Sequence, residues 1–163
     1  MNKTICGDLV ISAAMPSQQI LAFAQCKVVF GNVVILNMFG RNLPPMNIEK
    51  ICGNLRIENC QFLWQFEKLK EVEGDLVVKN SKISGFECLE SVSKNLKLKN
   101  SSIVHLHELA MVGQNIVMDN SQIVHAPKLV TVQNVLQKNS SIIHLPSEFT
   151  CQNQICIKEN EKN

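Results

Sequence analysis

Apolar and polar positions in this chain alternate with two spacings, two and three residues, and the combined pattern returns about every 20 residues. The spacing of two is sharpest in short units such as Gly53-Asn54-Leu55-Arg56-Ile57 and Gly74-Asp75-Leu76-Val77-Val78. Further units begin at Gly7, Gly31, Lys94, Gln114, Gln133 and Asn153, which separates successive starts by 24, 22, 21, 20, 20, 19 and 20 residues. A period of this size marks stacked repeats and takes precedence over local propensity. Alternation over two predicts a strand with every second side chain inside. The remainder of each coil carries apolar residues at a spacing of three. That suits tight arcs or short 3₁₀ turns, because no stretch sustains a 3.6 period over ten residues.

Within one coil the predicted inward set is Ile103, Leu106, Leu109, Val112, Ile116, Met118 and Asn120. Each coil is expected to contain one clear strand and two or three bends, with parallel strands about 4.8 Å apart. The fold class follows: an all-β, right-handed parallel β-helix of about eight coils, roughly 35 Å along its stacking axis. No single coil can bury its own apolar side, so neighbours must cover it. One domain spans 1–163. Residues 1–50 form irregular N-terminal coils with a capping insertion, 51–149 the regular repeats, and 150–163 a final coil and tail. Ser17 through Ala24 is predicted as a short helix, and Met38 through Met46, with Pro44 and Pro45, as a loop.

Six asparagines recur at one position of the coil: Asn37, Asn59, Asn80, Asn100, Asn120 and Asn139. An inward turn leaves backbone N–H and C=O groups without partners, at about 1–3 kcal/mol each. A side-chain amide carries both donors and an acceptor and tolerates a left-handed backbone. The column is therefore expected to be structural and buried. Asn100-Ser101-Ser102 and Asn139-Ser140-Ser141 are formal glycosylation sequons, as is Asn2-Lys3-Thr4. Burial of the first two argues against glycans there.

Composition removes several function classes. Sixteen Lys and Arg against fourteen Asp and Glu leave a net charge of only +2, which is no nucleic-acid footprint. No run of 18 apolar residues exists, so no membrane span is expected. Asp8 interrupts the only N-terminal apolar run, so a signal peptide is not expected and an intracellular location is slightly favoured if Met1 is the natural start. An excised segment would instead suit a cell-surface or extracellular setting. The seven cysteines show no paired zinc spacing. Cys151 and Cys156 would bridge in an oxidising compartment and stay reduced otherwise. Phosphate loops, nucleophile elbows and His-Glu-x-x-His motifs are missing, so neither an enzyme nor a resident cofactor is expected.

Two outward columns are the candidate sites. His105, His125 and His144 share one coil position, with Trp64 and Gly85 in it earlier, which would set the imidazoles about 5 Å apart as a pH-sensitive or metal-binding row. No carboxylate recurs beside them, so no metal site is assigned. The second column lies on the strand: Val10, Val34, Arg56, Val77, Lys97, Val117, Leu136 and Cys156. Five of these eight are apolar, and such a stripe suggests a covered surface. The next outward column is polar, with Ser12, Glu58, Lys79, Lys99, Asp119, Lys138 and Lys158 around Leu36.

At Ile51-Cys52-Gly53-Asn54-Leu55-Arg56-Ile57 and Val72-Glu73-Gly74-Asp75-Leu76-Val77-Val78 the pattern resembles receptor L domains, the leucine-rich β-solenoid modules of growth-factor-type receptors. Leu96-x-Leu98-x-Asn100-x-x-Ile103 is similar to a leucine-rich repeat in the broad sense. The likeness covers roughly residues 51–149, implies a binding module, and transfers no catalytic residue. The expected function is recognition of a protein or other ligand, or scaffolding, through a solenoid face. Alternatives are a surface or adhesion module of a larger ectodomain and, more weakly, a self-associating filament subunit.

Overall fold

Each repeat closes one turn of a three-sided coil, and identical positions stack into parallel ladders. The computed structural model describes residues 5–40, 42–62 and 66–157. The first face carries two-residue strands at Ile5–Cys6, Val28–Val29, Lys50–Ile51, Glu71–Val72, Ser91–Val92 and Met111–Val112. The second face carries Leu9–Ser12, Val33–Leu36, Leu55–Glu58, Leu76–Lys79, Leu96–Lys99 and Asn115–Asp119. Thr131–Lys138 spans both faces and joins them into one 14-stranded sheet, and Thr150–Ile157 pairs with it as the last rung. The third face is a five-stranded sheet of Gln61–Phe62, Lys82–Gly85, Ser102–His105, Gln122–His125 and Ser141–His144. The second face thus has eight rungs among the described residues, with seven turns between the first and the last.

Local sequence explains each side. On the second face Leu76 and Val78 point inward and are fully buried, as are Leu55, Ile57 and Leu96. Each such side chain contributes about 1.5–3 kcal/mol by leaving water. The spacing of three is a tight turn: Leu69, Leu89, Leu109 and Leu129 each donate a backbone N–H to the carbonyl three residues earlier. Between the first two faces the chain passes so close to its neighbour that a Cβ at Gly74 would meet the Gly53 carbonyl. The first two coils break the third face. In coil one it is replaced by the helix Ser17–Ala24, which buries Ile20 and Ala24, and in coil two by a loop that buries Met38, Leu43 and Met46.

Two expectations need correction. The third side of the coil is a strand, not a bend. Its hydrogen bonds all go to other coils, so local propensity cannot reveal them. The final unit is also out of phase by one residue. Asn153 pairs with Asn134 and Ile155 with Leu136, so the last outward residue is Ile155, and Cys156 lies beside Gln137 on the inward side. Amide pairing sets that register: Asn153 Nδ2 donates to Asn134 Oδ1 at 2.9 Å. Inward positions also turn polar here. Gln137 is buried and accepts from Cys156 Sγ at 3.1 Å, and Gln154 occupies the inward position of rung eight.

Candidate functional site

The six column asparagines sit at the corner between the second and third faces, all with positive φ, from 46° at Asn139 to 55° at Asn37. Asn accepts this left-handed backbone more readily than other residues with a Cβ. Their side chains form a ladder in which each Nδ2 donates to the previous Oδ1: Asn59 to Asn37 at 2.8 Å, Asn80 to Asn59 at 3.2 Å, Asn100 to Asn80 at 3.1 Å, Asn120 to Asn100 at 3.3 Å and Asn139 to Asn120 at 3.2 Å. The ladder is on the outside. Asn37, Asn80, Asn100, Asn120 and Asn139 are exposed and Asn59 is half-buried, which overturns the expectation of burial.

The inward turn groups are served by the next residue. Ser81, Ser101 and Ser121 are buried, and their Oγ atoms accept the N–H of Cys60, Ser81 and Ser101 from the preceding coil at 3.0, 3.2 and 3.1 Å. Each hydroxyl also donates to the carbonyl two residues back, at 2.6–2.7 Å. A one-oxygen side chain fits where an amide would not, since a left-handed corner turns the Asn side chain to solvent and the following residue inward.

A second amide ladder, not anticipated from the sequence, runs beside the glycine bend through Asp8, Asn32, Asn54, Asp75, Asn95, Asn115, Asn134 and Asn153. Asn54 donates both N–H and Nδ2 to Asn32 Oδ1 at 2.9 and 3.0 Å, and Asn95 does the same to Asp75 Oδ1 at 3.0 and 2.9 Å. The recurring Asp/Asn after each glycine was its signal. Burial pushes the Asp75 carboxyl up, but hydrogen bonds from Lys97 and Asn95 outweigh it and hold the group below the usual range.

The strand column stacks in register on the second face. Val34 pairs with Arg56, Arg56 with Val77, Val77 with Lys97, Lys97 with Val117, and Val117 with Leu136. With Ile155 in place of Cys156, six of the eight outward residues are apolar: Val10, Val34, Val77, Val117, Leu136 and Ile155. Val10 is 54% exposed and Ile155 49%, while the other four are half-buried. The two cations within the stripe are each paired with a carboxylate: Arg56 with Glu58, and Lys97 with Asp75 at 2.8 Å. Lys79 and Lys99 pair side by side in the adjoining column.

The histidine column stacks on the third face. His105 and His125 rings are 5.5 Å apart and 11° from parallel, and His125 and His144 are 4.5 Å apart and 5° from parallel. His107 joins at 4.8 Å from His105, and its Nδ1 lies 3.1 Å from Glu87 Oε2. Desolvation and then the neighbouring His144, His105 and His107 lower the pKa of His125. Gly85 occupies the same column, where a Cβ would strike the His105 carbonyl. Trp64, Lys158 and the Asn2 sequon lie outside the described residues. Among the described residues no group of three metal-ligating side chains could hold an ion.

One cysteine pair was not expected from the sequence. Cys6 and Cys26 form a disulfide, with Cα atoms 6.0 Å apart, whereas Cys151 and Cys156 are free. Cys151 packs against the core, and Cys156 is spent on Gln137. Among the described residues no helix is long and apolar enough to cross a membrane. Fold and columns together define a parallel β-solenoid with two amide ladders and one apolar stripe. Compared with family models, curated proteins and solved structures, the chain matches none.

Proposed function

We propose that this solenoid is a non-enzymatic recognition or scaffold module that captures a protein through its second face. The observation that carries the reading is the stripe of Val10, Val34, Val77, Val117, Leu136 and Ile155, which stacks along the whole ladder. The parallel ladder fixes the backbone positions of these side chains, so a partner meets a surface whose ordering cost is in part already met. Lys79 and Lys99 border the stripe with cationic heads, and acidic groups on a partner would complement them. Replacing Val77 and Val117 with Lys tests the reading. Capture of the partner from the native source should be lost while the circular dichroism spectrum stays native. Undiminished capture by the folded double variant would refute it.

A second reading, a surface or adhesion module of a larger ectodomain, is supported by the Cys6–Cys26 disulfide, because such bonds persist chiefly in oxidising compartments. The likeness of the repeat to receptor L domains points the same way.

A further inference from the structure

We infer that the groove along the corner between the second and third faces binds an acidic saccharide, with its anionic group over Lys82 and Asn100 and its hydroxyls over Asn120 and Gln122. This surface is distinct from the second-face stripe.

The groove encloses about 390 Å³. One wall is the exposed amide ladder from Asn100 to Asn139, and the other is the outward column Lys82, Ser102, Gln122 and Ser141. Both walls repeat at the strand spacing of about 4.8 Å, so the groove is a polar track along the stack. Asn100 and Asn139 are two rungs apart, roughly 10 Å, which suits a short oligosaccharide better than a lone ion. Among the described residues no carboxylate lines it.

The groups left unspent in the groove are mostly donors. An Asn amide has two N–H groups. Asn100 gives one to Asn80 Oδ1 at 3.1 Å and Asn120 gives one to Asn100 Oδ1 at 3.3 Å, which leaves one on each for a ligand. Gln122 Nε2 reaches Ser141 Oγ at 3.5 Å, so that hydroxyl keeps its own proton to donate, and Gln122 Oε1 is an acceptor for a sugar hydroxyl. Lys82 is exposed and enters no ion pair among the described residues. Surplus donors select an acceptor-rich ligand, and the ammonium selects an anionic one.

Charge across the corner fixes the direction. Lys79 and Lys99 stand directly opposite each other on the second face, one residue before Asn80 and Asn100, and like charges so placed repel. An anion at this end relieves the repulsion. Glu58, the neighbour of Lys79, is already paired with Arg56. Asp119 follows Lys99 in the same column, one residue before Asn120, so the far end disfavours an anion and takes hydroxyls.

The experiment titrates the ¹⁵N-labelled full chain with a sulfated dextran oligosaccharide, a galacturonate oligosaccharide, a neutral dextran oligosaccharide and sodium sulfate. Side-chain amide resonances of Asn100, Asn120 and Gln122 should shift with at least one acidic oligosaccharide, and less with the neutral one or with sulfate alone. Lys82→Gln should weaken that binding about threefold to fivefold, the weight of one exposed charge pair. Lys128→Gln, at a lysine outside the groove lining, should leave it unchanged. Circular dichroism checks that both variants fold. The absence of amide shifts with either acidic oligosaccharide would overturn the proposal. So would an equal response to sulfate alone or to neutral dextran, or equal weakening by the two lysine variants.

Discussion

Replacing Ser101 with Ala removes one oxygen from the inner wall of the solenoid and strands one hydrogen-bond donor. In the native coil Ser101 Oγ accepts the Ser81 N–H at 3.2 Å and donates to the Lys99 carbonyl at 2.7 Å. The Lys99 carbonyl keeps a second partner, the Asn80 N–H at 2.9 Å, so its loss is small. The Ser81 N–H has no such reserve in a residue that is 2% exposed. An unpaired buried donor costs about 1–3 kcal/mol. For a chain of this size, about 2 kcal/mol lowers Tm by roughly 4–8 °C. Urea unfolding should show that loss, and amide exchange should accelerate at Ser81. Ser102→Ala, one residue on and turned outward, should stay within about 0.5 kcal/mol of the parent. Ser101→Cys should recover most of the loss, because Cys60 holds the same position and its Sγ takes a backbone hydrogen bond from Met38 of the preceding coil. Equal stability of Ser101→Ala and Ser102→Ala would refute this role of the Ser101 hydroxyl.

Reducing the Cys6–Cys26 bond should destabilise the chain by about 3 kcal/mol, the loop-entropy value for a separation of 20 residues. Differential scanning calorimetry with and without reductant reads it, and an unchanged Tm in the reduced protein would contradict the bond's role. The histidine stack should make stability depend on pH. The His125 pKa is lowered in the folded state, so its contribution is fully present above the unfolded value of about 6.5 and is lost as pH falls through the lower folded value. Tm should therefore decline on acidification below about pH 6.5, less steeply in His125→Gln. Parallel Tm profiles for the two proteins would remove the histidine from the account.

The period and the phase of the second face were legible because the signals are local. A glycine where the backbones nearly touch, an Asp or Asn after it, and alternating Leu and Ile each fall within five residues. The helix at Ser17–Ala24 and the loop through Pro44 and Pro45 were legible for the same reason. What escaped was made between coils. The direction of the Asn column depends on the left-handed φ of each corner, and that turn exchanges the places of Asn100 and Ser101. The eight-rung Asp8–Asn153 ladder, the third-face strands and the Cys6–Cys26 pair all join residues 19–24 positions apart. Register at the last rung was misjudged because Ile155 and Ile157 mimic the apolar alternation, whereas Asn153 and its amide partner decide it.

The polar close of the core has a further consequence. Coils from Gly74 to Gln114 share the buried columns Leu89, Leu109 and Leu129 and Val92, Val112 and Val132, while Phe86, Leu106 and Ala126 differ in size at one position. Gln137 and Gln154 put amides where those coils are apolar, and Cys156 stands beside Gln137. The stack therefore grows by a fixed step, and its last described rungs break the pattern. Inserting or deleting a middle coil would alter its length by one strand spacing, about 4.8 Å, and leave both ends as they are.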